Sequence, residues 1–253
     1  MASAAPQLTR LLYGRKRGRK LRSGQQALFD EMLPALRLEL PAPPARLDLA
    51  VLFPPAHPSP GRDIWLEIGF GGGEHLAWQA ADHPDVGFIG CEPFINGLVS
   101  LFAHIREKDL TNIRVVNDDA RLLLAVLPPA SLSRAFILFP DPWPKKRHHK
   151  RRIICPATLD LLATALKDGA ELRIASDDAG YVCWTLTNVI DHGAFSWQAA
   201  TSRDWRQRPA DWPATRYETK ARARRRACYF LRFTRVPRGR ERAPEGMKAL
   251  EES

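Results

Sequence analysis

Asp141 stands between Pro140 and Pro142, beside Trp143, and just ahead of the cationic run from Lys145 to Arg152. One carboxylate next to dense cations suits chemistry on a polyanion: the cations hold phosphates while the acid works at the reacting group. Prolines fix φ and remove backbone donors, so the stretch is neither ordinary helix nor central strand. The apolar run Ala135–Phe139 before it reads as a short buried strand. A stiff acidic turn at a strand's carboxyl end lies where open α/β sheets bind their ligands. Phe139–Arg152 therefore reads as an active-site loop that acts on a nucleic acid.

A second constellation lies upstream. Ile64–Ile68 reads as a strand carrying Glu67, and it empties into a glycine turn, Gly69-Phe-Gly71-Gly72-Gly73, with a helix behind. Glycines permit a tight turn and close approach of a ligand to the backbone. No Gly-Lys-Ser/Thr follows, which argues against a Walker-type phosphate loop. Glu67 would place negative charge beside the turn, poorly matched to a pyrophosphate but well matched to an ammonium such as that of S-adenosylmethionine. Glu92, about 25 positions further on, closes a second strand, where an acid commonly accepts from ribose hydroxyls. Asp119 follows a third strand and would sit near an adenine or other ligand groups. Each acid alone reads equally as a helix cap or a surface charge. Their place at three successive strand ends favours a cofactor site.

The elements that must position these groups alternate from Asp63 onward. Strands are expected at Ile64–Ile68, Val86–Cys91, Ile113–Val116, Ala135–Phe139 and Ala170–Ala175, with terminal strands near Phe195–Gln198 and Cys228–Phe233. Helices are expected at Glu74–Ala81, Ile95–Glu107, Pro156–Leu166 and Tyr181–Ile190. Such alternation implies a mostly parallel sheet with helices on both faces. Ahead of it, residues 1–22 read as a flexible basic arm. Residues 23–60 read as a helix capped by Ser23, with Phe29, Met32 and Leu36 on one face, followed by a proline-rich connector. The domain itself is placed at 61–235, and 236–253 as a disordered polar tail.

The net charge is +10 and the pI near 9.8, which favours an anionic partner. The cations cluster at Arg10–Arg22, Lys145–Arg152 and Arg216–Arg226, where a bland solvated surface would mix both signs. An acid-free, arginine-rich start also fits a mitochondrial transit peptide, but its Gly-Arg-Lys pattern favours a nucleic-acid-binding arm. Cys91, Cys155, Cys183 and Cys228 stand singly, without metal-ligand spacing or a disulfide pattern; this fits a reducing compartment, and the cytoplasm is expected. No metal and no membrane span are expected.

These residues together resemble the bacterial tRNA (guanine-N7)-methyltransferase family. The likeness runs through Leu66–Gly71, Gly90–Glu92, Asp119-Ala120, Phe139–Arg152, Ala175–Asp177 and Thr215–Glu218. The Phe-Pro-Asp-Pro-Trp run with its basic tail is the specific part; the glycine turn is shared by all class I methyltransferases. The resemblance implies a Rossmann-like class I α/β fold with an antiparallel strand near the C-terminus. It implies S-adenosyl-L-methionine as cofactor, held by Glu67, Gly69, Gly71, Glu92, Asp119 and Asp141, with Asp141 also the catalytic acid. Lys145, Asp177, Thr215, Arg216, Tyr217 and Glu218 would hold the guanosine. Arg147, His148, His149, Lys150, Arg151 and Arg152 would contact tRNA, at a guanosine of its variable loop. One departure is the arginine-rich stretch after Glu218, which leaves open where RNA contacts end. Two other readings stand beside this one: another class I RNA methyltransferase, and a non-catalytic basic RNA-binding module. Asp-Pro-Trp-Pro differs from the Asp/Asn-Pro-Pro-aromatic turn usual for exocyclic amines. The choice between monomer and homodimer stays open.

Overall fold

The computed structural model describes residues 13, 14, 16, 18–53 and 62–240. The first twelve residues, most of the second half of the proline-rich connector and most of the expected tail lie outside the described residues. In chain order the elements are α1 (Ser23–Leu36), α2 (Leu49–Leu52), β1 (Ile64–Ile68), α3 (Glu74–Asp82), β2 (Gly87–Cys91), α4 (Ile95–Lys108) and β3 (Ile113–Val116). Then come α5 (Ala120–Val126), β4 (Leu132–Leu138), a 3-10 helix (Lys146–Arg151), α6 (Pro156–Ala165), β5 (Leu166–Ser176) and α7 (Ala179–His192). The chain continues with β6 (Phe195–Trp197), α8 (Arg203–Arg206), α9 (Arg216–Ala223) and β7 (Tyr229–Arg235).

The seven strands form one sheet in the order β3-β2-β1-β4-β5-β7-β6. β1 to β5 pair in parallel, and β7 runs antiparallel to both β5 and β6. This is the expected fold class. β1 and β2 are buried at every position, as strands covered on both faces must be. One core layer joins Leu76, Leu98, Phe102, Trp212 and Phe230 beneath α1, α3 and α4. The other joins Leu123, Leu159, Leu162, Tyr181 and Val189 under α5, α6 and α7. The order of strands reverses between β1 and β4, which opens a crevice outside their carboxyl ends.

Local differences from expectation have local causes. Ser23 is the first residue of α1 rather than its cap; Arg22 takes the cap position, and its N–H donates to the Gln25 side chain at 3.1 Å. β4 stops at Leu138 because Phe139 turns to φ 51°. β5 starts earlier than expected, since Asp168-Gly169 is absorbed within the strand, with Gly169 at φ 79° and a register shift opposite Leu132–Arg134. The first half of the connector packs on the domain: Leu38 N–H donates to Val115, Leu47 N–H to Val126, and Leu38, Leu47 and Phe53 are buried.

Candidate active site

The crevice at the strand reversal holds a cavity of about 470 Å³, within the usual range for ligand sites. Its floor is the carboxyl ends of β1, β2 and β4, with Ile68, Cys91 and Ile137 in its lining. Gly69 and Gly71 form one wall; Glu92, Asp118 and Asp119 another; Pro140, Asp141 and Trp143 a third. Tyr13, Phe94, Arg151 and Tyr217 close the rim.

The glycine turn needs its composition. Gly69, Gly71 and Gly73 all have positive φ, at 73°, 58° and 79°. A Cβ on Gly71 would lie 2.8 Å from the Tyr217 ring, and one on Gly97 would lie 2.2 Å from the Gly71 carbonyl oxygen. The turn is therefore clamped between the starts of α4 and α9. A Cβ on Gly69 would meet nothing within 4 Å, so there the constraint is its backbone angle.

Glu92 ties the turn down from β2. One carboxylate oxygen accepts from Gly71 N–H at 2.8 Å and the other from Phe94 N–H at 3.0 Å. A carboxylate has about four lone-pair sites, so two such bonds leave room for ligand hydroxyls. Burial raises the Glu92 pKa, and the two backbone N–H groups partly offset that. Asp119 is the N-cap of α5, accepting from Arg121 N–H at 3.0 Å, and is ion-paired with the Arg121 guanidinium at 3.1 Å. It is a helix cap and a cavity wall at once. Cys91 also lines the cavity, and burial pushes its thiol well above the ordinary value, which disfavours the thiolate.

Asp141 is exposed on its loop, and the loop is held from behind. Phe139 and Trp143 both sit at positive φ (51° and 42°), a sparsely allowed region for bulky residues. Arg152 Nε donates to the Pro142 carbonyl at 2.9 Å, and its guanidinium lies 4.8 Å from the Trp184 ring centre. Arg152 is only 4% exposed. It thus departs from the expected RNA-contacting set: its charge faces the loop's carbonyls and aromatic rings, not solvent. Arg151 instead lies over the Trp143 and Tyr13 rings at 4.8 and 5.4 Å, at the cavity rim.

The remaining expected site residues fall into groups. Glu67 and Thr215 border a smaller recess together with Gly69, Glu74, His75, Phe139 and Tyr217. Arg216 reaches back to Glu74 at 3.5 Å, over the glycine turn. Asp177 follows β5 and pairs with Arg226 at 3.1 Å, while the neighbouring Asp178, not Asp177, caps α7. Glu218 is buried and ion-paired to Arg208 at 3.2 Å and to Arg222 at 2.8 Å, so its carboxylate is bound up within the protein. Lys145, Arg147 and Lys150 are exposed on the 3-10 segment. His148 and His149 are half-buried there, against Trp143 and Trp184. Partial desolvation and the surrounding cations lower the His148 pKa. Among the described residues no group of three or more His, Cys, Asp or Glu is placed to hold a metal.

Some site residues have no chemical signature in the sequence. Tyr13, Phe94 and Arg121 line the cavity only because of how the chain folds. α9 did have a signal, since Thr215-Arg-Tyr-Glu218 is a Ser/Thr-x-x-Glu helix start and Thr215 Oγ1 does accept from Glu218 N–H.

The fold resembles that of the crystal structure of the 16S rRNA methyltransferase KamB, with a TM-score of 0.51 at 18% identity over 69% of this chain and 88% of that one. The fold is thus that of a Rossmann-like α/β protein. Residues 61–231 match the family described as putative methyltransferase. A tRNA (guanine-N7)-methyltransferase of Rhodospirillum rubrum is 53% identical over 89% of this chain and 88% of its own. That of Paramagnetospirillum magneticum is 50% identical over 87% and 90%. The chain belongs to the tRNA (guanine-N7)-methyltransferase family.

Proposed function

We propose that the protein transfers a methyl group from S-adenosyl-L-methionine to N7 of a guanine in tRNA, at a variable-loop guanosine. The observation that carries this reading is a single cavity at the strand reversal that brings Asp141 together with Gly69, Gly71, Glu92 and Asp119. The donor set fits the cofactor: Glu92 and Asp119 in the cavity for ribose hydroxyls, Glu67 in the recess that shares Gly69 and Tyr217 with it for an ammonium, and open space beside Gly69. Bound there, S-adenosyl-L-methionine supplies a methyl already activated by its sulfonium. Held by Glu92, Asp119 and the Gly69–Gly71 turn, the cofactor would present that methyl to the lone pair of guanine N7 and would leave as the neutral thioether. No proton leaves N7, so a general base is unnecessary.

Asp141 instead orients the base and stabilises the positive charge that moves onto the purine. Arg152 holds the loop so that Asp141 stays in place. Tyr217 and Arg216, folded over the glycine turn, and Lys145 and Asp177, beside the loop, hold the guanosine; Thr215 and Glu218 support them by fixing the start of α9. Arg147, Lys150 and Arg151 take the phosphates, and His148 and His149 add contacts beside them. The deciding experiment incubates unmodified tRNA with the purified protein and labelled cofactor, followed by nucleoside mass spectrometry. 7-Methylguanosine is expected. A methyl on any other atom would refute the reading, and absence of cofactor binding would favour a pure RNA-binding module.

A further inference from the structure

We propose that His75 is a positioning residue that presents Glu67 to the amino-acid end of the cofactor; this rests on the reading of the cavity as a methyl-donor site. His75 lies in the first turn of α3, directly behind the glycine turn, and is 2% exposed. Its Nδ1 is 2.7 Å from Glu67 Oε2, and Glu67 is 3% exposed. On the other side of the ring, Nε2 is 3.3 Å from Gln79 Nε2. Gln79 Nε2 is also 2.9 Å from the Asp211 carbonyl oxygen.

That carbonyl settles the proton positions. It can only accept, so the Gln79 amide nitrogen faces it and donates. The same nitrogen has a second hydrogen for His75 Nε2, which must therefore accept. A ring that accepts at Nε2 carries its proton at Nδ1 and donates it to Glu67. The arrangement leaves Gln79 Oε1 buried without a partner. The flipped amide would be worse, because it would set two oxygens against each other.

The relay fixes one oxygen of Glu67 and leaves Oε1 with no partner among the described residues, at the recess shared with Gly69 and Tyr217. The His75 ring packs edge-on against Phe136 at 4.7 Å and Trp212 at 6.4 Å, which holds the plane of the imidazole. The other acid at the recess, Glu74, is engaged by Arg216. Glu67 is thus the acid left to meet an ammonium, and His75 aims it. At its far end the relay is attached to the connector that leads into α9. Asp211 is held there by Arg173 at 2.7 Å, so the aim of Glu67 is set by the sheet and the connector together.

The test measures binding of two ligands to His75 variants by calorimetry. S-Adenosylhomocysteine carries the amino-acid end, and 5′-methylthioadenosine lacks it. His75→Leu is expected to weaken S-adenosylhomocysteine by about tenfold or more, the scale of a charge-assisted hydrogen bond, with methylthioadenosine changed by less than about twofold. His75→Asn, whose amide N–H falls near the Nδ1 position, is expected to recover most of the loss; His75→Gln, whose amide falls near Nε2, is not. Equal weakening of both ligands would mean a collapsed cavity and overturn the proposal, as would no weakening of either. If the leucine variant does not fold, the Asn and Gln variants decide, and indistinguishable affinities between them overturn it. Wild-type protein that binds neither ligand would instead refute the cofactor reading itself.

Discussion

In the proposed reaction Asp141 has no proton to take. The N7 lone pair is free at neutral pH, so the acid contributes through position and charge. Asp141→Asn keeps the size and removes the charge; it is expected to lower kcat by about a hundredfold, the scale of losing one preorganised electrostatic partner, with cofactor affinity changed little. Near-wild-type turnover by a folded variant would sink the assignment. Glu92 makes a different prediction, about stability. Burial raises its folded pKa above the ordinary 4.5, so from that value upward the folded state holds a proton the unfolded chain has lost. Stability therefore falls as pH rises through this window and levels off above the folded value. Glu92→Gln removes that dependence. The difference in unfolding free energy between wild type and variant, followed by urea denaturation from pH 4 to 8, should shift in the variant's favour as pH rises. A difference that stays constant would show that the carboxyl titrates normally. Arg152, buried behind the loop, belongs with these positioning groups. Arg152→Leu should lower kcat while leaving the salt dependence of tRNA binding unchanged, and a reduced salt slope would return it to the RNA face.

At the scale of elements, α9 carries residues from both sides of the expected site, and its start is set by one hydroxyl. Thr215 Oγ1 accepts from Glu218 N–H, and Tyr217, the second residue of the helix, roofs Gly71. Thr215→Ala should destabilise that start by about 1 kcal/mol, seen as faster hydrogen exchange of the first amides of α9. Unchanged exchange would mean that the ion pairs of Glu218 with Arg208 and Arg222 hold the helix alone. This helix also marks the limit of what the sequence discloses. β1 and β3 stand where the apolar runs put them, because a buried parallel strand is a continuous apolar run with nothing else for it to be. β5 was only partly legible, since Asp168-Gly169 carries a turn signature and only pairing with β4 shows that it is a bulge. α9 has almost no apolar face, so periodicity is silent and only the Thr-x-x-Glu start betrays it. The site divides in the same way. Glu92, Asp119 and Asp141 were legible as acids at strand ends and do meet in one cavity. His75 and Tyr13 were not, because their partners lie on other elements and only the fold brings them near.

The whole molecule carries a charge of +10, but the cations do unlike work. Arg121, Arg152, Arg173 and Arg235 are buried. Arg121 braces Asp119, Arg173 holds Asp211, and Arg235 Nε donates to the Ala163 carbonyl at 3.0 Å. These charges stabilise the fold at short range and release no counterions when RNA arrives. Several of the exposed cations lie on segments that border the cavity. Lys16 accepts through its carbonyl from Ile95 N–H and Gly18 N–H donates to Asn96, which lays the basic N-terminal stretch along the start of α4. Lys145, Arg147 and Lys150 flank the Asp141 loop, Arg222 lies in the last turn of α9, and Arg224 to Arg226 follow it. Net charge alone therefore overstates the RNA face, and the exposed subset defines it. Each cation that touches a phosphate should contribute about 0.7–0.9 to the slope of log affinity against log salt concentration. Arg147→Ala combined with Lys150→Ala should then reduce the magnitude of that slope by about 1.4–1.8 and weaken tRNA binding, while S-adenosylhomocysteine affinity stays the same. Arg121→Ala, by contrast, removes a cation of equal formal charge and should leave the slope intact while loosening Asp119. Equal slopes for the double variant and wild type would show that the 3-10 segment is an ordinary solvated face, and would move the RNA path to the N-terminal stretch and α9.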